Sequence, residues 1–242
     1  VVEAQERGAV INFDWHLPDP ETGSFYMREG DTGLLDDILD EQNGKREWFY
    51  GELDRVIDIV KRFDFPIIFR PFHEMNGGWF WWHTDNPARY VELWKLTVNY
   101  FNEHGSHNII WCWSPNYSSQ DYWTYYPGDD WVDVLGLDAY EVGSAVPVNA
   151  LVDVLGDMTD HAAATGKVAA FTETGDRNLY PDENPRYWTQ DILYPIVQDE
   201  RARRIAWVLA WFNINWNGPH GYIPYETMDN TQAKIDFANF YK

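Results

Sequence analysis

The stretch Pro66-Ile67-Ile68-Phe69-Arg70-Pro71-Phe72-His73-Glu74 opens as a short apolar run and ends in an arginine, a histidine and a glutamate. A run of that length, bounded by prolines and rich in β-formers, predicts a strand buried on both faces. Similar runs are found at Ala9 to Phe13, Asn108 to Trp113, Val132 to Leu137, Val168 to Phe171 and Ile205 to Trp211. Segments of helical period lie between them: Leu34 to Asp40, Glu47 to Phe63, Pro87 to His104, Asn149 to Thr165 and Pro185 to Glu200. Asn86-Pro87 is a cap followed by a first-turn proline, and Gly166 is a helix stop. Alternating strand and helix predicts an α/β fold with parallel strands and helical crossovers.

A doubly wound sheet and a closed (β/α)8 barrel both satisfy that alternation, and the strand ends separate them. Every run delivers something reactive or aromatic at its C-terminal end. In order these are Asp14-Trp15-His16, Arg70 through Asn76, Trp113-Ser114-Pro115-Asn116, Asp138-Ala139-Tyr140, Thr172-Glu173-Thr174, and Trp211 with Asn213. A doubly wound sheet would concentrate such residues at its switch point, and no glycine-rich phosphate loop follows any strand. Strands that all feed one rim predict a TIM-type barrel with its site at the C-terminal mouth. Only six strand–helix units can be counted where such a barrel has eight. Val1 to Arg7 reads as the tail of a helix, so the first two units are expected to be missing and residues 1–242 to form a single, N-terminally truncated catalytic domain.

The composition narrows the ligand class. The 242 residues are 45% hydrophobic and 24% charged, which is ordinary for a globular chain, so disorder is excluded. Fourteen Trp, fifteen Tyr and thirteen Phe make 17% of the chain, and Gly77-Gly78-Trp79-Phe80-Trp81-Trp82 sets several of them beside glycines and titratable groups. Flat aromatic faces there suit the apolar C–H faces of sugars. A net charge of −21 repels phosphate backbones and anionic membranes, which argues against nucleic acid and for a neutral polysaccharide. The single cysteine, Cys112, rules out an internal disulfide and reads as a small buried hydrophobe. No segment has the length of a membrane span. Without an initiator Met or signal peptide, the sequence reads as a processed chain or a fragment.

Two carboxyl groups are what glycoside hydrolysis requires, one protonated to assist the leaving oxygen and one ionised. Glu74 and Glu173, both at strand ends, are the candidate pair. Retention of configuration would place them about 5 to 5.5 Å apart. Arg70 precedes Glu74 by an even spacing, so both lie on one face of an extended strand. A guanidinium there would keep the Glu173 carboxylate ionised. Tyr140 either donates its hydroxyl to that carboxylate or packs at the rim. His73 either serves the site or is a core histidine. Asp138 and His16 divide equally between substrate contact and scaffold. A zinc-protease reading fails because no second histidine follows His73-Glu74 at helical spacing.

Arg70-Pro71-Phe72-His73-Glu74-Met75-Asn76-Gly77-Gly78-Trp79-Phe80-Trp81-Trp82 carries a resemblance, together with Trp113-Ser114-Pro115-Asn116, Gly136-Leu137-Asp138-Ala139-Tyr140 and Phe171-Thr172-Glu173-Thr174-Gly175. These motifs resemble glycoside hydrolase family 26, mostly β-mannanases within a clan of retaining (β/α)8 glycosidases. The resemblance runs from about Gly8 to the C-terminus. It implies that Glu74 is the general acid/base and Glu173 the nucleophile. His73 would bond substrate or orient Glu74, Trp79 would be an aromatic beside the acid/base, and Trp211 would floor the subsite of the cleaved sugar. Trp81, Trp82, Trp113 and Trp216 read as core or rim. The expected activity is endo-cleavage of β-1,4-mannan without a cofactor, by an extracellular, periplasmic or cell-surface monomer. The alternatives are a β-glucanase or β-1,3-xylanase of the same family, or a non-catalytic carbohydrate-binding barrel.

Overall fold

A computed structural model describes residues 1–27, 33–118, 121–176, 184–212, 222–224 and 231–241. Asn213 and Trp216 lie outside the described residues. The chain divides into two compact units, Val1–Val134 and Leu135–Lys242.

In the first unit, helix α1 (Val2–Glu6) leads to strand β1 (Asn12–Trp15), helices α2 (Gly33–Leu39) and α3 (Lys45–Val60), strand β2 (Ile67–Pro71), helix α4 (Pro87–Glu103) and strand β3 (Ile109–Trp113). β2 lies between β1 and β3 and is parallel to both, with Asp14 opposite Arg70 and Phe69 opposite Trp111. All five β2 residues are buried, as the continuous apolar run requires. α3 turns Phe49, Leu53, Ile57 and Val60 inward at helical spacing. α4 does the same with Tyr90, Leu93, Trp94, Val98 and Phe101. Phe69 stacks on Phe101 and meets Trp111 edge-on, at 5.7 and 5.8 Å between ring centroids. Each such buried aromatic contributes about 1.5–3 kcal/mol through area removed from water.

The second unit begins one residue into strand β4 (Val134–Tyr140), which precedes helix α5 (Val148–Thr165) and strand β5 (Val168–Gly175). A π-helical run, Tyr187–Leu193, continues into α6 (Tyr194–Gln198), and strand β6 (Val208–Ala210) and helix α7 (Thr231–Phe240) follow. The neighbour order is β4-β5-β6, and β5 and β6 are parallel with a register irregularity between Phe171 and Thr174.

The caps act as the sequence predicts: Asn86 accepts from the Ala88 N–H at 3.2 Å, and Gly166 ends α5 at φ 71°. Several boundaries differ from expectation: β4 and β5 run on to Tyr140 and Gly175, and three other differences have a visible cause. β1 starts at Asn12 instead of Ala9, because the Ala9 N–H is still bound to Ala4 of α1 and pairing with β2 begins only at Ile11. β6 is confined to three residues of the seven expected. The helix expected from Pro185 begins at Tyr187 with wide π turns, which put the consecutive residues Tyr187, Trp188 and Thr189 all inward. α7 has no counterpart in the sequence reading, since only Ala233 and Asp236 of its ten residues are buried and its amphipathic stripe is weak. Cys112 is buried, and no helix among the described residues is long and apolar enough to cross a membrane.

Candidate active site

The first unit gathers Arg70, His73, Glu74, Trp79 and His16 around the ends of β1 and β2. Register sets Asp14 directly beside Arg70, whose Nε donates to Asp14 Oδ1 at 2.7 Å. Arg70 Nη1 donates to Ser114 Oγ at 2.9 Å, and the guanidinium is fully buried. Burial would raise the Asp14 carboxyl, but the charge and hydrogen bond of Arg70, helped by Asn12 at 2.8 Å, outweigh it and hold the group below its ordinary value. Asp14 and Ser114 are thus partners of Arg70 that the sequence reading did not single out. Their signal was only that of polar residues at the ends of apolar strands.

Beyond β2 the chain makes a tight, strained turn. Phe72 and Glu74 both take positive φ, 51° and 53°, a conformation that costs non-glycine residues of order 1–3 kcal/mol each. The turn is held by its carbonyls. Tyr90 Oη donates to Phe72 O at 3.2 Å, Trp82 Nε1 to His73 O at 2.8 Å, the Gly77 N–H to Glu74 O at 2.9 Å, and His83 Nδ1 to Met75 O at 2.7 Å. The Glu74 N–H is bound to Ser114 O at 2.8 Å. Asn76 ties the turn to the loop after β3, donating to Asn116 O at 2.7 Å and accepting from the Asn116 N–H at 2.9 Å. So many ties over-determine the backbone and fix where the Glu74 side chain leaves it.

Glu74 is 8% exposed, and its Oε2 accepts from Trp79 Nε1 at 2.9 Å. Trp79 itself is 36% exposed, so its Nε1 edge serves the carboxyl while part of the residue meets solvent. A Cβ at Gly77 would lie 2.2 Å from the Trp79 ring, so only glycine lets the indole fold back over the turn. His73 is buried among His16, Phe80 and Trp82, with ring centroids 4.6, 5.2 and 5.9 Å away, and its Nδ1 has no hydrogen-bond partner among the described residues. Burial, then the positive charge of Arg70 and then His16, push the His73 pKa well below the usual histidine value. His16 is half-buried and its pKa is lowered too, by burial first; Asp14 opposes this shift and Arg70 adds to it. Trp81, Trp82 and Trp113 are core residues.

The second unit holds Asp138, Tyr140, Glu173 and Trp211. Three consecutive polar residues of β5, in the stretch where its register with β6 is irregular, each meet a different partner. Thr172 Oγ1 donates to Asp138 Oδ1 at 2.6 Å. Glu173, 3% exposed, accepts from Tyr140 Oη on Oε2 at 2.6 Å. Thr174 Oγ1 and Tyr187 Oη are 2.7 Å apart. Asp138 is fully buried in β4. Trp211 is half-buried just past β6, its N–H bound to Thr174 O at 2.8 Å and its ring beside Phe212 at 4.7 Å. Tyr222, absent from the sequence reading, meets the Tyr140 ring edge-on at 5.4 Å and lies so close over Gly175 that a Cβ there would come within 2.8 Å.

Comparison with known proteins places these residues in a family. The family model described as glycosyl hydrolase family 26 matches residues 2–217. The mannan endo-1,4-beta-mannosidase of Bifidobacterium adolescentis is 30% identical over 99% of this chain and 26% of its own length. Its Bacillus subtilis (strain 168) namesake is 31% identical over 88% of this chain and 65% of its own length. The chain therefore spans between about a quarter and two thirds of these two relatives. Among solved structures, the GH26 beta-mannanase BoMan26A of Bacteroides ovatus superposes with a TM-score of 0.85 at 29% identity, covering 100% of this chain and 70% of that one. The catalytic domain of the Bacillus sp. JAMB-750 GH26 endo-beta-1,4-mannanase gives 0.87 at 29% identity, covering 98% and 66%. The fold class is α/β of the TIM-barrel kind, and six strands of it stand among the described residues. With the match running through both glutamate motifs, the chain belongs to glycosyl hydrolase family 26.

Proposed function

We propose that the chain is the catalytic part of a retaining endo-β-1,4-mannanase, with Glu74 as general acid/base and Glu173 as nucleophile. The observation that carries the reading is the setting of each carboxyl group. Glu74 sits on a strained, pinned turn with Trp79 bonded to one oxygen, and Glu173 is a buried strand-end carboxylate bonded by Tyr140. In the first step Glu173 attacks the anomeric carbon while Glu74 passes its proton to the departing glycosidic oxygen. In the second, Glu74 takes a proton from water, which attacks the anomeric carbon and frees Glu173. Once Glu173 is esterified its charge is gone, which lets Glu74 ionise for its second role.

Arg70 and Tyr140 are assigned to keeping the nucleophile charged, and Trp79 and Trp211 to stacking on sugar rings. His73, His16 and Asp138 are assigned to substrate contact or to orienting the groups that make it. The mannan-cleaving names of the relatives support the substrate. The strong negative charge supports a neutral polysaccharide over nucleic acid, and family membership supports action outside the cytoplasm without a cofactor, by a monomer.

Reducing-sugar release from galactomannan, lichenan and β-1,3-xylan, assayed side by side, tests the proposal. Galactomannan should be cut with initial release of the β-anomer, and Glu173→Ala should bind mannan without turning it over. Binding without cleavage by the unaltered chain would favour a carbohydrate-binding barrel, and cleavage of lichenan or xylan alone would transfer the reading to those substrates.

A further inference from the structure

Resting on the mannanase reading, we propose that Tyr187 is a positioning residue for the nucleophile, holding Tyr140 and Glu173 in register through one hydroxyl. Tyr187 lies fully buried in the π-helical run, remote in sequence from both residues. Its hydroxyl donates to Gly175 O at 3.2 Å and accepts from Thr174 Oγ1 at 2.7 Å. Thr174 directly follows Glu173 in β5. The Gly175 carbonyl also accepts the Glu141 N–H at 2.9 Å, and Glu141 directly follows Tyr140 at the end of β4. One phenol therefore closes a loop of bonds around the Tyr140–Glu173 contact, with a tie to the chain beside each partner.

The backbone makes this tie consequential. Glu141 is held at φ 54°, so the chain leaves β4 in a conformation that relaxes without support. The Thr174 side chain points away from Glu173 across the pleat, so the hydroxyl of Tyr187 grips the far side of the strand. The other flank of the π run is anchored independently: the Thr189 N–H donates to Asp236 Oδ2 at 3.1 Å, the Thr189 hydroxyl bonds Asp236 Oδ1, and Trp188 packs on Phe237 and Phe240. The wide turns bring Tyr187, Trp188 and Thr189 inward together, so the run links α7 to the strand that carries Glu173. Burial pushes the Tyr187 phenol well above its ordinary value, so it remains a neutral donor over any working pH.

The test is a double-mutant cycle of Tyr187→Phe with Tyr140→Phe, read in kcat and KM on galactomannan, with a crystal structure of Y187F. Y187F should lower kcat on the order of tenfold, as for loss of one well-made buried hydrogen bond, with KM little changed. In the Y140F background the same change should cost less than about twofold, because its effect passes through Tyr140. In the crystal the Tyr140 Oη to Glu173 Oε2 separation should lengthen from 2.6 Å beyond hydrogen-bonding reach. An equal kcat loss in both backgrounds, or an unchanged 2.6 Å contact, overturns the proposal. Should Y187F fail to fold, Thr174→Val removes the other half of the bond and is judged by the same cycle and the same distance. If the unaltered chain releases no sugar from any mannan, the functional reading fails and the crystallographic distance alone decides the role of Tyr187.

Discussion

Gly77→Ala is a one-methyl change outside the reacting groups that should act on Glu74 through the Trp79 ring. Gly77 has no positive φ, so alanine brings no backbone strain, and the whole effect comes from the added Cβ. That atom would lie 2.2 Å from two carbons of the Trp79 ring, where 3.4 Å is the lower edge of ordinary contact. The indole must therefore retreat by roughly 1.2 Å, and displacement of that size along the bond breaks the 2.9 Å contact to Glu74 Oε2. A hydrogen bond to an ionisable partner is worth about 1.5–3 kcal/mol, so kcat/KM on mannan should fall roughly 10- to 150-fold. The assay compares mannan with an aryl β-mannoside bearing a dinitrophenolate leaving group. That leaving group departs without protonation, so its kcat/KM should fall less than about threefold if the damage is confined to the acid. Equal losses on both substrates would refute the reasoning, as would an unchanged Trp79–Glu74 contact in a crystal structure of the variant.

Two further outcomes concern stability. Gly51 lies exposed in the interior of α3 with open space around its Cα, so Gly51→Ala should stabilise by about 0.5–1 kcal/mol and raise Tm by a few degrees, with activity unchanged. His73 and His16 both have folded pKa values below the ordinary 6.5, so folding disfavours their protonation. Their contribution to stability is complete above pH 6.5 and is lost as pH falls below it, by up to about 1.4 kcal/mol per pH unit for each group. Urea midpoints measured from pH 8 to pH 5 should fall accordingly, and His73→Gln should flatten the slope; an unaltered slope would show that His73 titrates normally.

How much of this was legible beforehand depends on how far apart the cooperating residues stand in the chain. The strand–helix alternation, the Asn86 and Gly166 caps, the burial of Trp82 and Trp113, and the strand-end position of Glu74 are local matters. Periods of 2 and 3.6 and the capping chemistry act over a few residues, and those residues are adjacent on the page. The motif around Glu74 even contains Asn76, whose bonds to Asn116 became visible only with the loops in place.

What only the tertiary structure decided is pairing across distance. Asp14 and Arg70 stand 56 positions apart, and no composition or period says that parallel register will set them side by side. The fold of Trp79 back over Gly77 depends on a turn with two residues at positive φ, which propensity argues against and surrounding bonds enforce. α7 and the π run carry weak or misleading periodicity, because their inward residues answer to Asp236, Thr174 and Gly175 and not to a hydrophobic stripe. By itself the sequence determined the α/β alternation, written in the period of each run, and the family, written in contiguous motifs around Glu74 and Glu173. Tertiary structure alone decided that Trp79 bonds Glu74, that Tyr140 bonds Glu173 and that Asp14 and Ser114 bond Arg70, because hydrogen-bond geometry exists only after the chain has folded and its strands have come into register.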